Sequence, residues 1–256
     1  MLFRSAVLNV QNIPRTQKDV KRAFVPKLDA FLFFDYKAIE VRLLAYYLIR
    51  GIGDESLRDE IVAGLDPHVE TAKGIFGKSS VTDEERQIGK TLNFSIIYGG
   101  GTPTIMRQLG VTYQEAKELL RGYHKTRPGI ATLRDTVDSV LQERGYLINS
   151  HGRRLRVTDS HKGLNALIQG SAADLMRSAI LEVSDALSGY SSHIVNVIHD
   201  EIMIDASIDE VPFLISEIPD KMTDDTISAI MPIEVDCEWS TTNWAEKKEY
   251  DSVVYT

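Results

Sequence analysis

The chain has 256 residues and a formal net charge of −8, and 43% of its residues are hydrophobic, which is enough to bury a core. The acidic balance argues against a surface that is coated by nucleic acid, although a local basic cleft still attracts phosphate. No apolar run has spanning length and no signal peptide precedes the first strand, so we expect no membrane association. The single cysteine, Cys237, excludes an internal disulfide and fits a reducing cytoplasm.

The first informative segment joins an apolar strand to a helix. Residues Phe31–Phe34 are typical of a buried strand, and the run ends at Asp35. An aspartate at such a junction either caps the following helix or binds a metal ion. Glu40 lies one helical turn further on, where a solvated acid near the positive end of the helix dipole is the simplest interpretation.

The segment from Gly51 to Pro67 is rich in turn-forming and charged residues, so we expect an irregular connection there. A helix is then predicted, with Asp66 as its N-cap and Pro67 at its first position. His68 lies in the first turn of this helix. A single histidine on a helix is more often structural than functional.

The strongest helical signal runs from Val81 to Gly101. Thr82 and Glu85 form the pattern of a capping box, and three consecutive glycines end the helix. Two cations and two aromatic residues recur at every fourth position of one face, namely Arg86, Lys90, Phe94 and Tyr98. Such a face suits a nucleotide, with cations on the phosphates and rings on the base. The alternative is an amphipathic surface helix with solvated cations.

Two helices are predicted between residues 111 and 144, and a β-hairpin is expected around the polar segment Asn149–Arg154. Arg153 and Arg154 at this turn either contact a nucleic-acid backbone or form an ordinary solvated turn. In the following segment Asn165 and Gln169 are four residues apart and therefore share a helical face. Their amides suit the minor-groove acceptors that all correct base pairs share.

The segment Ile194–Asp205 predicts two strands joined by the polar turn His199-Asp200-Glu201. Adjacent carboxylates repel each other unless a cation lies near them. If Asp35 and Asp200 meet in the fold, they form the paired carboxylates of a two-metal site for phosphoryl transfer, and Mg²⁺ suits such ligands. An ordinary hairpin with a charged turn is the alternative.

The C-terminal part is predicted to contain a helix at Val211–Ile230 and a final strand at Pro232–Trp239. Taken together, the strand that ends at Asp35, the Gln87–Gly99 helix segment and the His199-Asp200-Glu201 turn resemble motifs A, B and C of the family A DNA polymerases. This is the class of bacterial DNA polymerase I and its phage relatives. The resemblance covers about residues 8–248.

The resemblance implies an α+β fold of the right-hand polymerase type, with an antiparallel palm sheet and a helical fingers subdomain but without thumb and exonuclease domains. Residues 1–48 would form palm with motif A, and residues 49–145 would form the fingers, with the motif B helix at 82–98. Residues 146–256 would return to the palm, with the template hairpin, the minor-groove helix and motif C.

The same resemblance implies roles at the reacting groups. Asp35, Asp200 and the backbone carbonyl of Tyr36 would bind two Mg²⁺ ions. Glu201 would adjust the position of the metal or the primer. Glu40 would crowd the 2′ position of the sugar and so favour deoxynucleotides.

Roles in nucleotide binding follow from the helical motif. Arg86 and Lys90 would bind the β- and γ-phosphates, and Lys90 would also protonate the leaving group. Phe94 would pack on the incoming base and sugar, and Tyr98 would lie near the templating base. His68 would contact the triphosphate. DNA contacts are implied for Arg153, Arg154, Asn165, Gln169 and His199.

The implied function is template-directed DNA synthesis, in which a dNTP is joined to a primer 3′-hydroxyl and pyrophosphate is released. Primer-template DNA and dNTP are the expected partners, together with a separate thumb or exonuclease polypeptide or a processivity factor. The expected setting is replication of phage or replicon DNA in the cytoplasm of a bacterial or phage-infected cell.

Three alternatives remain open. A single-subunit RNA polymerase shares the motifs, but Glu40 and the His199-Asp200-Glu201 triplet favour DNA synthesis. The palm-fingers half of a split polymerase would be inactive, or would only bind DNA, without a thumb-bearing partner. A non-catalytic subunit is disfavoured, because the carboxylates and cations that catalysis needs are all in the sequence.

Overall fold

The computed structural model describes residues 10–14 and 16–250, which form eleven α-helices and seven short strands. The α-helices are α1 (Lys18–Arg22), α2 (Ile39–Ile52), α3 (Ser56–Val62), α4 (Pro67–Phe76), α5 (Asp83–Ile97), α6 (Thr102–Leu109), α7 (Tyr113–Thr126), α8 (Pro128–Arg144), α9 (Gly163–Ala186), α10 (Val211–Lys221) and α11 (Asp225–Ser228). The strands are β1 (Ala30–Tyr36), β2 (Leu147–Ile148), β3 (Arg154–Leu155), β4 (His193–Ile198), β5 (Glu201–Ala206), β6 (Val235–Ser240) and β7 (Lys248–Glu249). None of the helices within these residues is long and apolar enough to cross a membrane.

The chain divides into two compact units. The sheet unit contains the described residues up to 39, together with residues 174–224 and those from 233 onward. The helical unit contains residues 40–173 and 225–232. The palm and fingers boundaries that we expect from the sequence stay a prediction.

Strand β1 is the centre of the sheet unit. The five-stranded sheet has the order β4-β5-β1-β6-β7, and every neighbouring pair is antiparallel. Residues Ala30–Phe34 of β1 are all buried, as expected of a strand that is paired on both edges and covered on both faces. The combination of helices with an antiparallel sheet confirms the predicted α+β class.

The two faces of the sheet carry different side chains, because successive residues of a strand point to opposite sides. On one face, Phe31 and Phe33 of β1 form a buried cluster with Met203 of β5 and with Trp244. Tyr36 is on the other face from Phe33, and its hydroxyl donates to the Met222 carbonyl oxygen at 2.5 Å. The cluster supports the end of the sheet at which Asp35 lies.

Strands β4 and β5 form the hairpin that was predicted at residues 194–205. Ile198 pairs with Glu201, so the loop contains only His199 and Asp200. His199 has a φ of 56°, the left-handed conformation that tight hairpin loops need and that glycine adopts most easily. Histidine adopts this conformation more readily than most residues other than glycine, although at some cost in backbone strain.

Helices α4 and α5 pack against each other in the helical unit, and both begin as the sequence predicts. Asp66 caps α4 by accepting hydrogen bonds from the backbone N–H groups of His68 and Val69. Thr82 and Glu85 form the reciprocal capping box of α5. These caps satisfy N–H groups that a helix cannot satisfy within itself.

Two glycines allow backbones of the helical unit to approach each other. A Cβ atom at Gly89 of α5 would lie 2.3 Å from the His68 carbonyl oxygen. Gly99 follows α5 with a φ of +77°, and a Cβ atom there would lie 2.4 Å from the His161 carbonyl oxygen. Both distances are too short for a side chain, so glycine is required at each position.

Arg127 joins the α7–α8 junction to helices α3 and α4 of the helical unit. It lies at the junction of α7 and α8, is buried, and donates two hydrogen bonds of 2.7 Å to the Glu60 carboxylate of α3. It also donates to Thr71 and to the Pro67 carbonyl oxygen of α4. A bidentate pair of this kind fixes both orientation and distance.

Three local expectations differ from the structure. Helix α3 lies within the segment expected to be irregular, because Leu57 is buried and gives that helix a face to pack. The helix predicted at residues 211–230 is divided into α10 and α11, and Thr223 at the break hydrogen-bonds the Asp220 carbonyl oxygen through both its N–H and its hydroxyl. Strand β6 is followed by β7, which pairs with it through two residues, so the predicted final strand is not the last one.

We predict that Gly89→Ala will lower the free energy of unfolding by about 1–3 kcal/mol, the usual effect of forcing extra atoms into a packed contact. Urea denaturation followed by circular dichroism measures this change. Gly122→Ala is the matched control, since Gly122 lies within α7 and its added Cβ would meet Ile75 at an ordinary 3.4 Å. Equal stability of the two variants would contradict the close α4–α5 contact.

Candidate active site

Asp35 lies near the end of β1, where strands on both sides fix its backbone. It is the register partner of Glu201 on β5 and of Asp236 on β6. The backbone N–H of Tyr36 donates to the Asp200 carbonyl oxygen at 3.2 Å. This hydrogen bond holds the hairpin loop beside the end of β1, so the two aspartates predicted from the sequence lie in the same part of the sheet unit.

Both aspartates line a cavity of about 560 Å³. Four carboxylates line this cavity, those of Asp35, Asp200, Glu201 and Glu238. Three ammonium groups also line it, those of Lys18, Lys21 and Lys247, and His199 lies in the same wall. A cavity with charges of both signs can hold a cation and a phosphate group together.

A divalent cation fits the donor set of this cavity. Among residues 10–14 and 16–250, no three His, Cys, Asp or Glu side chains are grouped as a metal site. Protein ligation of one ion would therefore rest on at most two of the carboxylates that line the cavity, and Asp35 and Asp200 are the pair that the sequence predicts. That arrangement suits Mg²⁺, which typically takes one or two carboxylates and keeps its other positions for water and substrate phosphates.

Tyr36 can contribute to such a site only through its backbone. Its side chain is buried on the opposite face of the sheet, and burial, followed by the nearby charge of Asp224, raises the pKa of the phenol well above its ordinary value. The hydroxyl is committed to the Met222 carbonyl oxygen. The predicted role of the Tyr36 carbonyl as a ligand stays a prediction.

The predicted stripe of four residues is present on α5 and at its C-cap. The rings of Phe94 and Tyr98 are stacked, with centroids 6.4 Å apart and an interplanar angle of 21°. Arg86 donates a hydrogen bond of 2.7 Å to Asp66 through its Nε atom, while Lys90 is exposed and borders a shallow groove with Phe94. The helix thus presents cations nearer its N-terminus and aromatic rings nearer its C-terminus.

His68 is buried against this stripe. Its ring lies 5.7 Å from that of Phe94, and Asn93 donates a hydrogen bond of 3.0 Å to its Nδ1 atom. Because the amide nitrogen can only donate, the neutral ring carries its proton on Nε2. Burial lowers the pKa of His68, and the positive charges of Lys90 and Arg86 add to this effect against the opposing charge of Asp66.

Asp66 joins the cap of α4 to the cationic side of α5. Burial alone would raise the pKa of its carboxyl, but the hydrogen bonds from Arg86 and from the His68 backbone N–H outweigh burial and lower it. The carboxylate is therefore ionised at neutral pH. It holds Arg86 in a defined position at the first turn of α5.

Glu40, Tyr98 and Gln169 form one hydrogen-bonded network within the helical unit. The Glu40 Oε1 atom accepts from the Tyr98 hydroxyl at 2.7 Å and from the Gln169 amide at 2.6 Å. The Gln169 amide also lies 3.4 Å from the Tyr98 hydroxyl. Three residues that the sequence assigned to different roles therefore share one carboxylate oxygen, and each restricts the conformation of the others.

The remaining predicted DNA contacts lie on the β2–β3 hairpin and on α9. Arg153 is exposed and donates to the Gly170 carbonyl oxygen at 3.1 Å. Arg154 is exposed, with its guanidinium 5.0 Å from the centre of the Tyr146 ring. Asn165 is half-buried on α9, and its Oδ1 atom accepts no hydrogen bond from the described residues.

Two residues that shape these sites were not predicted from the sequence. Lys247 reaches the carboxylate cavity from a segment without a recognisable pattern, so no local signal identifies it. Asn93 fixes the tautomer of His68 from within the predicted helix. A polar residue on the inner face of an amphipathic helix is the signal that identifies Asn93.

Comparisons with known proteins agree on one family. The model of DNA polymerase family A matches residues 3–246. DNA polymerase I of Lactococcus lactis subsp. lactis is 31% identical over a match that covers 94% of this chain and 29% of the relative. The DNA polymerase of Mycobacterium phage D29 is 32% identical, and the match covers 75% of this chain and 32% of the relative.

A solved structure has the same fold. The POL domain of Pol1 from M. smegmatis, in complex with DNA primer-template and dNTP, matches with a TM-score of 0.81 and 27% sequence identity. The match covers 93% of this chain and 44% of that one. The chain spans less than a third of the length of the two curated relatives above.

We predict that the buried, neutral state of His68 makes folding sensitive to acid. In the unfolded chain the His68 imidazole takes up a proton near pH 6.5, whereas in the folded chain it does so only at lower pH. The contribution of His68 to the free energy of unfolding is therefore fully present above pH 6.5 and is lost as the pH falls below it. Urea denaturation at pH 7.5 and 5.5 should show a smaller loss for His68→Gln than for the wild type. His193→Gln removes an exposed histidine and is the control. An equal loss in wild type and His68→Gln would contradict the account.

Proposed function

Because the chain belongs to DNA polymerase family A, we propose that it catalyses template-directed DNA synthesis. In this reaction a primer 3′-hydroxyl attacks the α-phosphorus of a dNTP, a new phosphodiester bond forms, and pyrophosphate leaves. The observation that carries the proposal is the pair of aspartates, Asp35 and Asp200, on one cavity at the end of the central strand. The phosphate- and base-binding pattern of α5 supports it.

Asp35 and Asp200 would hold two Mg²⁺ ions, with the Tyr36 carbonyl as a further ligand. When bound, these ions would lower the pKa of the primer hydroxyl and offset charge on the triphosphate. The two aspartates fix where a cation is held relative to β1. Lys18 and Lys21, which line the same cavity, provide positive charge for the phosphates of primer or nucleotide.

Residues of the helical unit would bind the nucleotide. Arg86 and Lys90 donate to the β- and γ-phosphates, and Lys90 also delivers a proton to the departing pyrophosphate. His68, neutral and protonated on Nε2, donates a hydrogen bond to the triphosphate. The stacked rings of Phe94 and Tyr98 offer an apolar surface to the incoming base and to the templating base.

The DNA would be held mainly without reading its sequence. Arg153 and Arg154 contact the template backbone, and His199 lies beside the primer terminus. Asn165 and Gln169 test the minor groove for acceptors that every correct pair offers. Synthesis would serve phage or replicon DNA replication in the cytoplasm of a bacterial or phage-infected cell, with a separate thumb or exonuclease polypeptide or a processivity factor as a further partner.

Primer extension by the purified chain, with Mg²⁺, dNTPs and a short primer-template, tests this proposal. We expect distributive addition of a few nucleotides. Binding of dNTP without addition would favour the alternative, in which the chain is one half of a split polymerase and is inactive without a thumb-bearing partner. Absence of both extension and dNTP binding would overturn the proposal.

We predict that Asp35→Asn and Asp200→Asn each reduce the rate of extension at least about 1,000-fold, equivalent to about 4 kcal/mol of activation free energy. The reason is that an amide cannot replace a carboxylate as an anionic metal ligand. Asp209→Asn is the control, because Asp209 is exposed in the same unit and loses the same charge. Circular dichroism should show all three variants folded. A wild-type rate in either aspartate variant would disprove its role.

We predict that Glu40→Ala admits ribonucleotides and reduces discrimination against them about 100-fold, within the range that pocket contacts supply. Single-nucleotide incorporation of dNTP and rNTP measures the ratio of kcat/KM values. Glu40→Gln keeps the bulk and should retain most of the discrimination. Unchanged sugar selectivity in Glu40→Ala would show that Glu40 does not exclude ribonucleotides by crowding the 2′ position of the sugar.

A further inference from the structure

Lys247 reaches the carboxylate cavity from the segment between Trp244 and β7. Its ammonium group forms an ion pair with the Glu201 carboxylate and lies 3.9 Å from the Glu238 Oε2 atom. The same nitrogen lies 4.0 Å from the centre of the Phe33 ring. Two carboxylates and one aromatic ring therefore surround the charge, and no role in the proposed reaction accounts for it.

The Lys247 site is built rather than a chance surface contact. The Lys247 and Glu201 side chains are only 22% and 13% exposed, and Phe33 is buried in the apolar cluster beneath them. Partial burial strengthens an ion pair, because less solvent screens it. It also makes removal of one partner unfavourable, since the other charge is left without compensation.

The strand register explains why a positive charge is needed here. Glu201 is directly opposite Asp35 across β5 and β1, and Glu238 is directly opposite Phe33 across β6 and β1. Directly opposite residues share a face of the sheet, and like charges in that relation repel. Without Lys247, the Glu201 carboxylate would face Asp35 uncompensated and would itself attract a divalent cation.

We propose that Lys247 is a positioning residue that engages Glu201, so that Asp35 and Asp200, and not Glu201, supply the carboxylates that bind the divalent ions of the proposed polymerase reaction. The inference rests on the proposed function for its purpose, but not for its test. In this arrangement the ammonium group occupies the end of the cavity at which Glu201 lies. It prevents a divalent ion from being held by Glu201 together with Asp35 or with Glu238.

Direct metal binding tests this proposal without any nucleotide or DNA. Mn²⁺ is the probe, and electron paramagnetic resonance of the free ion measures its binding to the purified chain. Lys247→Met keeps the stem that covers Phe33 but removes the charge. We expect Mn²⁺ to bind about tenfold more tightly to this variant, or at one additional site, because two carboxylates become available.

Lys248→Met is the matched control. Lys248 is the sequence neighbour and loses the same charge, but it pairs with Trp239 and its ammonium group lies 5.1 Å from the centre of that ring. Trp239 is opposite Leu32 on β1, so this lysine belongs to the other face of the sheet from Asp35. We expect Mn²⁺ affinity within twofold of the wild type.

Two further variants exclude a merely structural effect. Lys247→Arg keeps the positive charge and should keep wild-type Mn²⁺ affinity. The double variant Lys247→Met with Glu201→Gln removes the uncompensated carboxylate and should reverse the tightening. Unchanged Mn²⁺ binding in a folded Lys247→Met, or tightening that persists in the double variant, would overturn the proposal.

Failure of the positioning role can be told apart from failure of the proposed function. If primer extension is absent but Lys247→Met still tightens Mn²⁺ binding and the double variant reverses it, the role of Lys247 stands and the polymerase proposal falls. If extension occurs but Lys247→Met leaves the Mn²⁺ affinity unchanged, the polymerase proposal stands and the role of Lys247 is rejected.

Discussion

The antiparallel register between β1 and β5 is the constraint on which the carboxylate site depends. It sets Asp35 opposite Glu201, and the two-residue loop before Glu201 then brings Asp200 next to the end of β1. A shift of one residue would turn Asp35 to the other face of the sheet. The buried residues Phe31 and Phe33 oppose such a shift, because their side chains would leave the apolar cluster. The packing of the sheet unit thereby determines the relative positions of the carboxylates at the end of β1.

Positive charges in this chain are clustered at particular places. An acidic protein can therefore still bind an anionic ligand. The net charge is −8, yet lysines line the carboxylate cavity and two cations lie on α5, on the N-terminal side of its aromatic residues. Asp66 holds one of these cations, Arg86, in place. Short-range pairs of this kind orient side chains more than they stabilise the fold. Orientation is what phosphate binding requires, since the ligand supplies the compensating charge.

Local patterns in the sequence were sufficient to predict that Asp35 lies at the end of a buried strand, that α5 begins with a capping box and that a hairpin contains Asp200. Each of these features depends on residues that are only a few positions apart. The sequence did not reveal the pair of Arg127 with Glu60 or that of Lys247 with Glu201. Those partners are joined only by the tertiary fold, and a single chain carries no signal of their distance. The shared hydrogen bonds of Glu40, Tyr98 and Gln169 belong to the same class. Their individual roles were expected from the resemblance, but their coupling was not.

The most direct test of this account is anomalous diffraction from crystals of the chain soaked in Mn²⁺. The account predicts a peak within about 2.5 Å of carboxylate oxygens of both Asp35 and Asp200, as metal–oxygen ligation requires. Glu201 should remain paired with Lys247 in the same crystal. A peak held instead by Glu201 and Glu238, or no peak in the cavity, would contradict the assignment of Asp35 and Asp200 as the metal ligands.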